Sequence, residues 1–152
     1  MTEQQRPPLL TPERIEFKKK IESKKCVFDS LTNLLEKGQK EASKNEIFDA
    51  LISREKLGDT YIGKGIALPR AHINITNPRA ALLILKKGLN LNTADKQEIQ
   101  LFLGILIPQK KRGDYSVMLS EFNKKLLKEK KLDKIIESGN AELVAQYFDN
   151  LF

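Results

Sequence analysis

Residues 54–73 read Arg-Glu-Lys-Leu-Gly-Asp-Thr-Tyr-Ile-Gly-Lys-Gly-Ile-Ala-Leu-Pro-Arg-Ala-His-Ile, and this stretch is the most informative part of the chain. It predicts a helix that ends at Gly58, a glycine-punctuated turn, and a short apolar strand before Pro69. Two glycines in the turn allow the backbone to reverse tightly. Arg70 and His72 follow the proline, and His72 is the only histidine in the chain. The stretch therefore predicts a change from helix to sheet, with titratable groups directly after a strand.

The segments on either side of this stretch predict an α/β fold. Apolar side chains at helical spacing predict helices at 24–36, from Asn45 to Gly58, from 115 onward and after Asn140, and Thr11-Pro12 predicts a further helix start. Continuous apolar runs predict strands at 66–68, 80–85 and 99–107, with a weaker candidate at 88–92. Polar segments at 38–45 and 109–114 predict loops. The longest apolar run, 99–107, is expected near the centre of the sheet, covered on both faces.

Length and composition predict a single domain that folds without disulfide bonds. We expect a flexible tail at 1–8 and one domain at 9–152, long enough to bury a core of its own. The chain has no apolar run that could span a bilayer and no hydrophobic signal at its start, so we expect a cytoplasmic protein. Cys26 is the only cysteine, and no metal-ligand spacing is present. We therefore predict no disulfide, metal or cofactor.

The net charge of +7 is concentrated in one part of the chain. Residues 109–134 contain nine Lys or Arg and four Asp or Glu. Such a surface is either a solvated helix face or an attractant for phosphate, nucleic acid or an acidic protein. The segment lacks the interleaved aromatic side chains that stack on single-stranded nucleic acid, and it shows no helix-turn-helix pattern. A basic nucleic-acid-binding module is therefore kept only as an alternative.

Taken together, these motifs resemble the type-2 IIA proteins of the bacterial phosphotransferase system, and most of all the nitrogen-regulatory branch. The resemblance covers about residues 9–150, and its strongest segments are 9–14, 47–58, 60–69 and 105–108. It implies a mixed central sheet between helices on both faces. It also implies a partner, because an HPr-like phosphocarrier phosphorylates a histidine in this family. Nitrogen-branch members use that phosphorylation state to regulate other proteins.

The sequence departs from the family at the positions that carry the chemistry. The phospho-accepting histidine of the family directly follows the proline, where this chain has Arg70. A second family histidine, in the helix after the Pro108 loop, aligns with Tyr115. Many members have His-Ala-Arg where this chain has Arg-Ala-His. By the resemblance, the phosphate- or partner-binding residues are expected to be Arg70, Thr60, Gly63, Lys64, Gly65 and Tyr115.

Two hypotheses about phosphate transfer follow from position 70. Arginine has no available lone pair, whereas neutral imidazole can act as a covalent nucleophile. If the backbone after Pro69 is extended, Arg70 and His72 share one face, about 7 Å apart, twice the rise per residue of a strand. The hypothesis we adopt is a regulatory protein that acts by partner binding and does not relay phosphate. The alternative is a functional phosphotransferase that accepts phosphate from an HPr-like protein on His72.

Overall fold

A computed structural model describes residues 7–152. Its helices are α1 (Lys24–Glu36), α2 (Lys44–Lys56), α3 (Arg112–Lys128), α4 (Leu132–Glu137) and α5 (Ala141–Leu151). Its strands are β1 (Ile15–Lys18), β2 (Tyr61–Gly63), β3 (Ile66–Ala67), β4 (Arg70–Ile73), β5 (Arg79–Leu89) and β6 (Ile99–Pro108). Single 3-10 turns occupy Pro12–Arg14 and Gln109–Lys111. No helix within 7–152 is long and apolar enough to cross a membrane.

The strands form one mixed sheet in the order β1-β5-β6-β3-β2, with β4 also paired to β6. The strand β6 is antiparallel to β5 on one side. On its other side it is parallel to β3 near its start and to β4 near its end. This strand therefore lies at the centre of the sheet, which confirms the placement predicted from its long apolar run, where Gln100 is the one polar side chain.

Helices cover both faces of the sheet, as the family resemblance implied. Alternate residues of β6, including Leu103 and Ile105, pack with apolar side chains of α3, α4 and α5. The intervening residues Phe102 and Leu106 pack with α1 and α2 on the opposite face. Because side chains of a strand alternate between faces, one apolar run supplies both halves of the core. The α/β architecture predicted from the sequence is confirmed.

Several boundaries differ from the prediction. The helix start at Thr11-Pro12 is only a single 3-10 turn, because the chain continues into β1. The cap of α2 is Ser43 rather than Asn45, and Ser43 forms a capping box with Glu46. The predicted loop 109–114 contains a 3-10 turn and the beginning of α3. Residues 1–6 of the predicted tail lie outside the described residues, and Pro7 and Pro8 are exposed.

Candidate functional site

Arg70 and His72 lie on the same face of β4, as their spacing predicted. The backbone is extended from Arg70 to Ile73, where Ala71 and Ile73 are buried and Arg70 and His72 are partly exposed. Ala71 and Ile73 belong to the core beneath α1 and α2. The guanidinium and the imidazole therefore project from the opposite face, which is the face that α3 covers.

The register of β4 determines what surrounds the two side chains. Arg70 is paired with Ile105 and His72 with Ile107, both of which face α3. Tyr115, in the first turn of α3, packs in the same core cluster as these two isoleucines and is 9% exposed. Tyr115 is therefore on the same face of the sheet as Arg70 and His72.

Positive charge accumulates around His72. Burial lowers the pKa of its imidazole below the ordinary value, and three nearby guanidinium groups lower it further; these belong to Arg112, Arg70 and Arg54. Burial also lowers the pKa of Arg70, followed by repulsion from Arg54, while Glu55 acts in the opposite direction. An arginine remains protonated in proteins, so these permanent cations disfavour protonation of the imidazole.

Glu55, the carboxylate that acts on the pKa of Arg70, is already engaged. Glu55, at the end of α2, accepts a hydrogen bond from the Thr60 hydroxyl at 2.8 Å and forms an ion pair with Lys24 at 3.1 Å. Thr60 is buried, and its carbonyl accepts the Leu68 amide at 2.9 Å. Among residues 7–152, Arg70 and Arg112 form no ion pair. Within the described residues, no carboxylate therefore contacts either guanidinium directly, and Glu55 offsets the charge of Arg70 only in part.

The glycine turn lies elsewhere on the sheet. Gly63, Lys64 and Gly65 join β2 to β3 with φ angles of +112°, +54° and +76°. The Lys64 ammonium donates to the Leu127 carbonyl, and the Gly65 carbonyl accepts the Leu101 amide. Since Arg70 is paired with Ile105, the turn is about four residues, or roughly 13 Å, back along β6. The structure does not bring these three residues to Arg70, and their role in phosphate or partner binding stays a prediction.

Sequence reasoning did not identify Arg54, Glu55 or Arg112 as neighbours of the site. The first two stand in the quoted stretch, and their position in the last turn of a helix just before the strand was a usable signal. Arg112 was assigned to a loop, so its position at the beginning of α3 was missed.

Residues 8–151 match the family model described as phosphoenolpyruvate-dependent sugar phosphotransferase system, EIIA 2. A nitrogen regulatory protein homolog from Haemophilus influenzae is 31% identical, covering 93% of this chain and 88% of the relative. A nitrogen regulatory protein from Pseudomonas aeruginosa is 28% identical, covering 91% and 90% respectively.

Solved structures agree in fold. The nitrogen regulatory protein IIA-Ntr from Neisseria meningitidis superposes with a TM-score of 0.76 at 24% identity, covering 94% of this chain and 95% of that one. The IIA mannitol structure from Escherichia coli gives 0.60 at 20% identity, covering 84% and 96%. At these identities the structures support the fold alone. Together with the family model and the nitrogen-regulatory relatives, they show that the chain belongs to the type-2 EIIA family of the phosphotransferase system.

Proposed function

We propose that this chain is a nitrogen-branch regulatory protein that acts by binding partners, with Arg70 at the position of the family's phospho-accepting histidine. The observation that carries the proposal is the partly buried Arg70, which forms no ion pair within residues 7–152, while Glu55, the carboxylate that acts on its pKa, is paired with Lys24. A guanidinium fork matches the oxygens of phosphate or carboxylate. The site is therefore suited to hold an anionic group that a partner presents.

The same site is poorly suited to relay phosphate. Accepting a phosphoryl group requires a nitrogen lone pair at the position that the carrier addresses, and Arg70 offers none. His72 is two residues further along β4, about 7 Å away. An error of about 1 Å in the position of a reacting group can cost roughly a hundredfold in rate.

The partner class proposed is an HPr-like phosphocarrier or a target that docks on the same surface. Its anionic group would meet Arg70 first, with Arg54 and Arg112 adding charge at the rim. Thr60 supports the site from behind by orienting Glu55. The net charge of +7 would accelerate association with an acidic surface at low salt. Gly63, Lys64 and Gly65 would form a second contact region, at the other end of β3.

One observation favours the alternative, in which His72 is the acceptor. Its pKa is lowered by burial and by neighbouring cations, so the imidazole is neutral near pH 7 and its lone pair is free. In that reaction the N–P bond of the carrier's phosphohistidine would break as a new N–P bond formed at His72. Arg70 would then neutralise the transferred oxygens instead of replacing the acceptor.

Incubation with a phosphorylated HPr-type carrier separates the two functions. Calorimetric titration measures binding, and intact mass spectrometry measures transfer, on the native chain and on His72→Ala. The regulatory function predicts binding that weakens in Arg70→Gln, with no gain in mass. A gain of one phosphate on the native chain that is absent in His72→Ala would establish the phosphocarrier instead. Absence of binding would refute the choice of partner.

A further inference from the structure

The strand β1 forms one edge of the sheet and has an unpaired side. Within residues 7–152 its only strand partner is β5, which runs parallel to it. The Lys19 carbonyl accepts the Lys87 amide at 2.7 Å. In a parallel ladder, alternate residues of a strand turn both backbone groups toward the same neighbour. Ile15, Phe17 and Lys19 therefore bond to β5, and the N–H and C=O groups of Glu16 and Lys18 point away from the sheet.

The side chains of β1 alternate between the two faces of the sheet. Phe17 is in register with Ile84 and is 39% exposed, beside an open groove of about 600 Å³ that Ile84 and Ile136 also line. Glu16 and Lys18 are on the opposite face, where their charged atoms lie 3.2 Å apart and Lys18 also reaches Ser30 of α1. An unpaired strand edge carrying an exposed aromatic side chain is a surface that proteins usually protect or pair.

We propose that β1 pairs antiparallel with β1 of a second copy of this chain, about a two-fold axis at Phe17. In this register Glu16 is opposite Lys18 of the second copy, and Lys18 is opposite its Glu16. These four residues have their backbone groups turned outward, so they form two hydrogen-bonded pairs around a central pair of phenylalanines. The sequence Glu-Phe-Lys is self-complementary in charge in this arrangement, and the occupant is therefore a second copy.

The interactions across this edge and the repulsion between the two copies predict a weak dimer whose affinity depends on salt. Four backbone hydrogen bonds and two cross-strand ion pairs stabilise the dimer. The two Phe17 rings add an aromatic contact, since they lie directly opposite each other. Against them stand the net charge of +7 on each copy and the cations Lys19 and Lys20 beside the edge. Salt screens this long-range repulsion more strongly than it weakens ion pairs at contact distance, so moderate salt strengthens the dimer. This inference is independent of the function proposed for the Arg70 site.

Complementary charge variants test both the surface and its register. Glu16→Lys places two lysines on the edge, and Lys18→Glu places two glutamates there. Each variant alone should raise the dimer dissociation constant about tenfold, since attractive opposite pairs become repulsive ones. A mixture of the two variants should form a heterodimer again. Sedimentation velocity over a concentration series, at low and moderate salt, measures all three samples, and thermal melts check that each variant is folded.

A backbone variant provides a second test. Lys18→Pro removes an outward N–H donor without removing a bond to β5, so it should abolish the dimer and keep the fold. A native chain that remains monomeric at every concentration and salt would overturn the proposal and leave the edge to another protein or to solvent. A dimer that persists in Lys18→Pro, or variants that fail to associate when mixed, would assign the contact to a different surface.

Discussion

Replacing Leu103 with alanine tests the placement of β6 at the centre of the sheet. Leu103 is fully buried, lies opposite Leu82 of β5, and faces the helices α3 to α5. Removing buried methylene-sized groups costs about 0.8 kcal/mol each, or about 2.4 kcal/mol for leucine to alanine. Because the neighbours in a two-sided core collapse poorly, a cavity term raises the loss to about 3–4 kcal/mol.

That loss should be visible as a large shift in melting temperature. For a chain of this length, about 1 kcal/mol corresponds to roughly 3 °C, so Leu103→Ala should melt about 10 °C below the native chain. Urea titration should give the same free-energy difference without a change in slope. The matched control is Val117→Ala on α3, which is 64% exposed and should change stability by less than about 0.5 kcal/mol. Equal melting temperatures for Leu103→Ala and the native chain would refute the central position of β6.

Three further outcomes follow from local contacts. Thr60→Val removes the hydroxyl that donates to Glu55 and should lower stability by about 1–2 kcal/mol in urea titration. A loss that persists undiminished in a Glu55→Leu background, which has no acceptor, would show that this hydrogen bond is not the cause. Gly65→Ala should lower the free energy of unfolding by at least about 1 kcal/mol, because φ is +76° and a Cβ would lie 2.9 Å from the Glu98 carbonyl oxygen. Gly113→Ala is the control and should be neutral or slightly stabilising, since a Cβ there meets no atom within 4 Å. Melting temperatures that fall equally in the two variants would contradict this contrast. The pKa of His72 is lower in the folded chain than its value of about 6.5 in the unfolded chain. The contribution of His72 to stability is therefore complete above about pH 6.5 and is lost as the pH falls through the folded-state pKa. Urea titrations at pH 7.5 and at pH 5, about 1 and 1.5 units on either side of the unfolded pKa, should therefore show a larger loss of unfolding free energy on acidification in the native chain than in His72→Gln. Equal losses in the two proteins would show that the imidazole is solvated.

The parts of the fold that sequence reasoning predicted are those with strong local patterns. The helix α1 was placed at its observed limits because its apolar side chains recur at helical spacing, and the structure adds Ser23 as its cap. The strand β6 was recognised from the long apolar run at 99–107, and all of its residues except Gln100 are buried. In both elements, many apolar side chains follow the spacing of a single type of secondary structure.

The parts that were missed depend on pairing rather than on pattern. The strand β1 has four residues with two charges among them, and only its ladder to β5 makes it a strand. The helix α4 is six residues long, too short for a clear period. At the site, the extended backbone after Pro69 was only a condition of the prediction, and the pairing of β4 with β6 fulfils it. The convergence of Arg54 and Arg112 on His72 follows from how α2 and α3 pack on the sheet, which one sequence does not display.

The central claim is that Arg70 and His72 together prevent an ordinary phosphate relay. The most direct measurement is the initial rate of phosphate transfer from a phosphorylated HPr-type carrier to the native chain and to the double variant Arg70→His with His72→Arg. The exchange restores the order usual in the family and keeps the net charge. We expect the exchanged variant to gain one phosphate at least about a hundredfold faster than the native chain. A native chain that is phosphorylated as fast as the exchanged variant would contradict it.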